Sequence, residues 1–148
     1  LNSPSQLAFT ILHPHIEVKT SYARALVKNT VSLNTMVKQS ANLGAFISGL
    51  YKEDYELIGR SMKDLIIEPY RSILIPDFEK LKKISYSNGA LSFGISGSGP
   101  SVFVLSKGII QAKKIGKSLE KSYKKINIKF DIYTSYINNS GIKIISSK

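Results

Sequence analysis

Cysteine and tryptophan are absent from this sequence of 148 residues, and histidine occurs only twice. The lack of cysteine excludes a disulfide framework and a zinc site built from thiolates. No apolar run approaches the roughly 20 residues needed to cross a bilayer. No charged amino-terminal segment precedes an apolar stretch, as it would in a secretion signal. We therefore expect a soluble protein of the cytoplasm without a membrane partner.

Acidic residues are also scarce, because 10 of them stand against 21 lysines and arginines and leave a net charge of +11. Such a charge is compatible with nucleic acid, with an anionic membrane or with a small anionic substrate. The densest run of lysines, at 113–125, falls on one predicted helix without the aromatic residues that an RNA-binding sheet carries. We therefore expect a solvated surface there and no nucleic-acid partner.

Arginine is the rare cation of this chain: lysine occurs 18 times, and arginine only at Arg24, Arg60 and Arg71. Arginine binds a carboxylate or a phosphate through two parallel hydrogen bonds, which lysine cannot do. This scarcity suggests a binding role for arginine. The alternatives are a surface salt bridge for Arg24 and a cap on the carbonyls of the preceding helix for Arg71, and Arg60 is expected to lie on a helix surface without a role.

Hydrophobic periodicity predicts a mixed order of strands and helices. Strands are predicted at 7–12, on both sides of 96–101 and at 126–136, and helices at 20–26, 33–50, 53–67, 77–88 and 109–123. His13, Pro14 and His15 are expected to break the first strand, and the histidines to shape this bend rather than to bind a metal. The order predicts an α+β domain of the ferredoxin-like class, with a four-stranded antiparallel sheet and helices packed on one face.

A turn rich in glycine and serine separates the two central strands. Gly97 and Gly99 allow positive φ and a close approach of the backbone to a ligand, while Ser96, Ser98 and Ser101 add hydroxyl groups. Such a loop suits an anion, most often a phosphate. A plain β-hairpin whose glycines only make the turn is the alternative, and the spacing alone leaves both readings open.

Four separated segments, in the same order, resemble the GHMP kinases and, within that superfamily, the homoserine kinase family. The segments are His13-Pro14 with Thr20-Ser21-Tyr22-Ala23-Arg24-Ala25-Leu26, the helical Gln39-Ser40-Ala41-Asn42-Leu43, Glu68-Pro69-Tyr70-Arg71, and Gly94-Ile95-Ser96-Gly97-Ser98-Gly99-Pro100. The last one looks like the third motif of the GHMP kinases. Together the segments span nearly the whole chain.

The resemblance implies that residues 1–148 are the carboxy-terminal domain of such a kinase. The family's ATP phosphate loop, of the type Pro-x-x-x-Gly-Leu-Gly-Ser-Ser, is not found in this chain. By resemblance, the full enzyme transfers the γ-phosphoryl group of ATP to the hydroxyl of L-homoserine in threonine biosynthesis, using Mg²⁺. The catalytic residues are expected mainly in the absent amino-terminal, ATP-binding domain, so this chain alone should be inactive. A homodimer would be compatible with the resemblance.

The same resemblance implies roles for particular residues of this chain. Arg24 and Arg71 would bind the homoserine carboxylate, Thr20 would lie near the amino-acid end of the substrate, and the backbone of Gly97 would line the same pocket. The glycine loop, Ser96 to Gly99, would close over the substrate and support the phosphate loop of the other domain. No metal ligand is expected in this chain.

Two other functions fit part of this pattern. Another GHMP kinase, of the mevalonate-pathway type, would share the glycine loop and also bind a carboxylate. A non-enzymatic ferredoxin-like module that binds an amino acid or RNA would share only the fold. Kinase assays separate the first alternative from a homoserine kinase, and salt-dependent RNA binding would favour the second.

Overall fold

The computed structural model describes residues 3–142 and 144–146. Within these residues, four strands and six helices follow one another. They are β1 (Leu7–Pro14), α1 (Thr20–Ala25), α2 (Leu33–Lys52), α3 (Tyr55–Ser61), α4 (Glu68–Arg71), α5 (Phe78–Ser87), β2 (Ser92–Ile95), β3 (Val102–Lys107), α6 (Ile109–Tyr123) and β4 (Phe130–Tyr136). Short 3₁₀ turns follow α4 and α6, at Ser72–Leu74 and Lys124–Ile126.

The four strands form one antiparallel sheet in the spatial order β2-β3-β1-β4. Thr10 of β1 lies opposite Val104 of β3 on one side and opposite Thr134 of β4 on the other. Two interleaved βαβ halves produce this order, in which the first and third strands are central. The predicted α+β class and ferredoxin-like sheet are therefore confirmed.

Helices α5 and α6 cover one face of the sheet. Alternate residues of the central strands, such as Leu12 and Val104, point to this face because side chains of a strand alternate between its two sides. The core here consists of fully buried or nearly buried side chains from both layers: Leu12, Ile75, Phe78, Leu81, Phe93, Val102, Val104, Ile115, Leu119 and Tyr123. The prediction of helices on one face is correct for these two helices.

Helices α2 and α3 pack on the opposite face, which the prediction left uncovered. Leu7 and Leu105 point to this side and are buried together with Ile58 of α3, and Phe46 and Leu50 of α2 pack against them. Strands β1 and β3 are apolar on both faces, so burying only one face would leave large side chains in water. The sheet therefore has helices on both sides.

Two predicted element boundaries are wrong. The helix predicted at 53–67 ends at Ser61, and Asp64 then accepts hydrogen bonds from the backbone N–H groups of residues 66, 67 and 68, which starts the separate helix α4. Pro69 lies in the first turn of α4, where its missing N–H costs nothing, so it begins a helix rather than ending one. The strand predicted at 126–136 starts only at Phe130, after Asn127 adopts a φ of 54°.

Strand β1 also differs from its prediction, because it continues through His13 to Pro14 instead of breaking there. Strand β3 stops pairing with β1 at Leu12, and Pro14 pairs only with Phe130 of β4. The proline therefore has no neighbouring strand on the side where its N–H would be needed. Among the helices of the described residues, none combines the length and the apolar character that crossing a bilayer requires.

Candidate functional site

The glycine loop, residues 96–101, is a tight connection between β2 and β3. The backbone N–H of Ser96 donates to the carbonyl of Ser101 at 2.8 Å, and the N–H of Gly99 donates to the carbonyl of Ser96 at 3.1 Å. Gly97 and Gly99 have φ values of 62° and 83°, which residues with a side chain rarely adopt. The hairpin reading thus describes the backbone of this loop correctly.

The outer side of the glycine loop is open. A Cβ atom added to Gly97 would meet no heavy atom within 4 Å. The N–H groups of Gly97 and Ser98 have no acceptor in the described part of the chain. Two successive free amides in a tight turn can bind an anion, because both dipoles point to the same side.

Arg71, the last residue of α4, connects the glycine loop to α1. Its Nε donates to the carbonyl of Ala23 at 3.3 Å, and its Nη1 donates to the carbonyl of Gly97 at 3.4 Å. Ala23 lies in the last turn of α1, where carbonyls lack partners within the helix. The alternative for Arg71 was a cap on the carbonyls of the preceding helix. Arg71 does cap a helix, but that helix is α1.

The guanidinium of Arg71 retains binding capacity after these contacts. It has five N–H groups, of which two donate to Ala23 and Gly97. The remaining three have no acceptor in the described residues. The side chain is half-buried, so a ligand beside the glycine loop could approach it from solvent. Arg71 is thus held in place by two carbonyls and still able to bind a carboxylate.

Thr20 and Arg24 lie four residues apart on α1, which places them on the same side of that helix. Both residues are exposed. Arg24 makes no ion pair within the described residues, whose salt bridges all involve lysine or histidine. The carbonyl that Arg71 contacts belongs to Ala23, the residue directly before Arg24. Arg60, in the last turn of α3, is exposed and lies on a different element.

An ion pair fixes the start of α4. The ammonium of Lys82 on α5 lies 2.6 Å from the carboxylate of Glu68. Burial disfavours the charged form of Lys82, but the hydrogen bond and the charge of Glu68 outweigh it, and the pKa of Lys82 is raised. Because Glu68 and Arg71 belong to the same short helix, this contact also fixes the position of Arg71.

The predicted helical segment 39–43 has a structural role beside the site. Gln39 accepts a hydrogen bond from the N–H of Leu65 at 2.9 Å, and Asn42 donates to the carbonyl of Lys63 at 3.4 Å. Both contacts hold the connection that leads into α4. A cavity of about 220 Å³ lies between this part of α2 and Gly94 of β2.

The two histidines make contacts that the sequence analysis missed. His13 Nδ1 lies 2.7 Å from the hydroxyl of Ser101 at the end of the glycine loop, 88 residues away in the chain. His15 Nε2 lies 2.7 Å from a carboxylate oxygen of Asp131, and this hydrogen bond lowers the pKa of the Asp131 carboxyl. No local pattern reveals such pairs, because the register between β1, β3 and β4 creates them.

Metal-binding groups are sparse within residues 3–142 and 144–146. No three side chains of the histidine, cysteine, aspartate and glutamate type come close enough together to hold a metal ion there. At the glycine loop the described residues offer hydrogen-bond donors and positive charge, which suit an anionic ligand.

A protein family described as GHMP kinases C terminal matches residues 46–125 of this chain. Among curated proteins, a homoserine kinase of Chloroherpeton thalassium is 39% identical over 146 residues, which are 98% of this chain and 46% of that protein. A homoserine kinase of Chlorobium phaeobacteroides is 43% identical over 145 residues, which are 97% of this chain and 45% of that protein. The chain spans about half the length of these relatives.

A solved structure gives the same correspondence in three dimensions. The crystal structure of homoserine kinase from Cytophaga hutchinsonii superposes with a TM-score of 0.92 and 46% sequence identity. The match covers 95% of this chain and 45% of the crystallised one. The likeness therefore includes nearly the whole chain.

Proposed function

Since this chain belongs to the GHMP kinases and contains the carboxy-terminal domain of that family, we propose that it is the substrate-binding half of a homoserine kinase. The observation that carries this proposal is the 46% identity and the TM-score of 0.92 to the Cytophaga hutchinsonii enzyme over 95% of the chain. The proposed reaction transfers the γ-phosphoryl group of ATP to the side-chain hydroxyl of L-homoserine. The bond between that phosphorus and the β–γ bridging oxygen breaks, a bond to the hydroxyl oxygen forms, and the hydroxyl proton is released.

This half would position homoserine and neutralise the charge of its carboxylate. Phosphoryl transfer depends mostly on alignment and on neutralising charge, so holding the amino-acid end of homoserine orients its hydroxyl. We assign the carboxylate to Arg24 and Arg71, and Thr20 to a contact near the same end. The three free N–H groups of Arg71 and the absence of an acidic partner for Arg24 among the described residues support this assignment.

The glycine loop would form one wall of this composite site. The carbonyl of Gly97 accepts a hydrogen bond from Arg71, and the N–H groups of Gly97 and Ser98 have no acceptor among the described residues. In our proposal Ser96, Gly97, Ser98 and Gly99 close over the substrate and support the phosphate loop of the other half. We do not propose that this loop binds ATP without the other half.

The proposal requires a second domain, amino-terminal to this one, that binds ATP and Mg²⁺ and contributes most catalytic groups. We assign the Mg²⁺ ligands to that domain, since no three side chains of the histidine, cysteine, aspartate and glutamate type cluster among the described residues. An apolar groove of about 380 Å³ on the α2 side of the sheet supports the existence of a covering domain. It is lined by Phe9, Ile11, Phe103 and Leu105 of the sheet and reaches Ser96 of the glycine loop. We place the enzyme in the cytoplasm and propose no nucleic-acid partner.

The test is a kinase assay on the chain alone and on a longer polypeptide that contains it behind an ATP-binding half. With ATP and Mg²⁺, the longer protein should phosphorylate L-homoserine in preference to mevalonate, and the chain alone should phosphorylate neither. Preference for mevalonate would reassign the substrate within the superfamily. Homoserine phosphorylation by the chain alone, or tight salt-dependent RNA binding, would contradict the proposal.

A further inference from the structure

Strand β4 lies at one edge of the sheet, and its outer side has no neighbouring strand among the described residues. Its residues, Phe130–Tyr136, pair with β1 one after another without a bulge, and none of them is proline. An edge strand exposes a row of backbone N–H and C=O groups, which bulges, prolines or covering elements usually protect from other chains. Neither a bulge nor a proline protects the outer edge of β4, so this edge is able to pair with a further strand.

A groove of about 710 Å³ runs along this edge, between β4 and the flank of α6. We call it the edge groove, and its lining includes Lys113, Gly116 and Lys117 of α6 and Phe130, Ile132 and Thr134 of β4. The two elements lie side by side, because a Cβ atom added to Gly116 would come within 3.3 Å of Ile132, and Tyr123 of α6 packs against Phe130. Phe130 and Ile132 pack against the core on the helix side of the sheet but stay partly exposed. A strand added to β4 would complete their burial.

Positive charge in the edge groove exceeds what its own carboxylates neutralise. Glu120 is paired with Lys124 at 2.8 Å, and Asp131 with His15 at 2.7 Å. Three further lysines line the groove without an ion pair among the described residues, and they are Lys113, Lys117 and Lys129. The groove therefore favours an occupant with negative charge.

We propose that the edge groove binds an extended acidic segment of a partner protein, which adds to β4 as a fifth strand. Backbone hydrogen bonds to the outer edge of β4 would hold the segment, and its acidic side chains on the helix side would reach the unpaired lysines. The inference does not depend on the kinase reaction proposed above.

The spacing of two lysines sets the pattern of the segment. Lys113 and Lys117 are four residues apart on α6, which corresponds to about 6 Å along the helix axis. Alternate residues of a strand point to the same face and are about 6.7 Å apart. Acidic residues at two alternate positions of the added strand therefore match these two lysines.

Other occupants satisfy only part of this arrangement. A second copy of the chain would bring the same lysines against each other, and two copies with a net charge of +11 repel. A small anion such as a phosphate could bind the lysines but would leave the backbone edge of β4 unpaired. An acidic strand alone satisfies the charge and the edge together.

The probe is a synthetic, fluorescently labelled peptide, Val-Glu-Val-Glu-Val-Thr-Val, whose binding to the chain is followed by fluorescence anisotropy. We expect it to bind at least about tenfold more tightly at low salt than the analogue with glutamine at both glutamates, and the difference should shrink as salt screens the charges. Equal affinities of the two peptides would overturn the inference. So would binding by the chain but not by a longer protein with the ATP-binding half, because that half would then occupy the groove.

Charge reversal tests the two lysines. The double variant Lys113→Glu and Lys117→Glu should bind the acidic peptide at least about tenfold more weakly, because two attractive contacts become repulsive. The matched control, Lys114→Glu with Lys121→Glu, makes the same change of charge on the same helix outside the groove and should bind within about threefold of the parent chain. Far-UV circular dichroism checks that both variants are folded. An equal loss in both would show a general attraction to a basic chain and overturn the inference.

Strand pairing is tested by N-methylation, which removes backbone donors from one edge of the peptide. The N–H groups of alternate residues point to the same edge, so methylating the odd-numbered residues or the even-numbered ones blocks opposite edges. One methylated peptide should lose binding and the other should keep it, and hydrogen exchange of N–H groups in β4 should slow in the complex. Equal binding by both methylated peptides, or binding of tripolyphosphate or of a uridine hexanucleotide as tight as that of the acidic peptide, would overturn the inference.

Discussion

The guanidinium of Arg71 donates from Nη1 to the carbonyl of Gly97 at 3.4 Å. Through its Nε, the same group holds the carbonyl of Ala23 on α1, 3.3 Å away. One side chain thus fixes the glycine loop relative to the helix that carries Thr20 and Arg24. The planar guanidinium suits this task because its donors point in divergent, fixed directions.

Arg71→Lys should loosen this connection, because a single ammonium cannot reproduce two divergent donors. We expect the free energy of unfolding to fall by about 1 kcal/mol, the usual value of a net hydrogen bond. Urea unfolding monitored by circular dichroism measures this change in the free energy of unfolding. Arg60→Lys, on the exposed end of α3, is the matched control and should change stability by less than about 0.5 kcal/mol. Equal effects of both substitutions would show that the two carbonyl contacts contribute nothing.

Gly97→Ala should destabilise the loop although there is room for the methyl group. Its φ of 62° is the cause, since a Cβ atom in the left-handed region costs about 1–2 kcal/mol. Gly97→Asn should cost less, because asparagine tolerates that region better than alanine. Thermal unfolding of the three proteins tests this order. If alanine were as stable as glycine, the backbone at this position would not have positive φ.

Gly59→Ala should be the most damaging single-methyl change in α3. The added Cβ would lie 2.7 Å from the carbonyl oxygen of Leu91, a backbone atom that cannot rotate away. We expect a loss of about 2–3 kcal/mol in urea unfolding. Gly116→Ala in α6 is the control: its Cβ would lie 3.3 Å from a methyl group of Ile132, which can shift slightly. A loss at Gly116 as large as that at Gly59 would contradict this distinction.

Tyr123→Phe should leave the protein equally stable or more stable by up to about 1 kcal/mol at neutral pH. Tyr123 is fully buried against Phe130, and its hydroxyl has no hydrogen-bond partner among the described residues, so the phenol loses its hydration on folding without compensation. Unfolding curves of the two proteins at pH 7 measure the difference. A loss of more than 1 kcal/mol would reveal a partner for this hydroxyl.

Alkaline pH should enlarge the difference between Tyr123→Phe and the parent chain. Burial raises the pKa of Tyr123 to about 12 from an ordinary value of 10.0. The folded state therefore keeps this proton longer than the unfolded state. The stability linked to it is complete below pH 10 and is lost as the pH rises toward 12, by about 2–3 kcal/mol. Lysine deprotonation affects both proteins equally. If the difference between their free energies of unfolding stayed the same from pH 9 to pH 12, the raised pKa of Tyr123 would be contradicted.

Local patterns were sufficient to predict much of the fold. The helix predicted at 109–123 coincides with α6, because a three-to-four-residue apolar repeat begins directly after Gly108 and covers one face of the sheet. The helix predicted from residue 33 does begin there, because Ser32 is its N-cap and its hydroxyl accepts a hydrogen bond from the N–H of Thr35. Both features depend on neighbouring residues only.

Features that depend on tertiary contacts were not predictable in this way. The helix predicted at 53–67 is interrupted because Asp64 forms its own cap and Ser92 of β2 binds the carbonyl of Met62. The contact of His13 with Ser101 requires the register of β1 and β3. For the candidate site, the rarity of arginine suggested a binding role and the family resemblance selected Arg24 and Arg71, but neither indicated the carbonyl contacts that fix Arg71. Those roles in binding remain predictions.

The most direct test of the proposed carboxylate contact is the homoserine affinity of the Arg24→Lys variant. Arg24 is exposed and has no ion pair among the described residues, so its replacement should not affect folding. In a longer polypeptide that joins this chain to the proposed ATP-binding half, we expect the KM for L-homoserine to rise at least about tenfold, because the bidentate contact with the carboxylate is lost while the charge is kept. The KM for ATP should stay within about twofold of the parent value, as should both constants in Arg60→Lys. An unchanged homoserine KM in Arg24→Lys, and likewise in Arg71→Lys, would contradict the claim that these arginines bind the substrate.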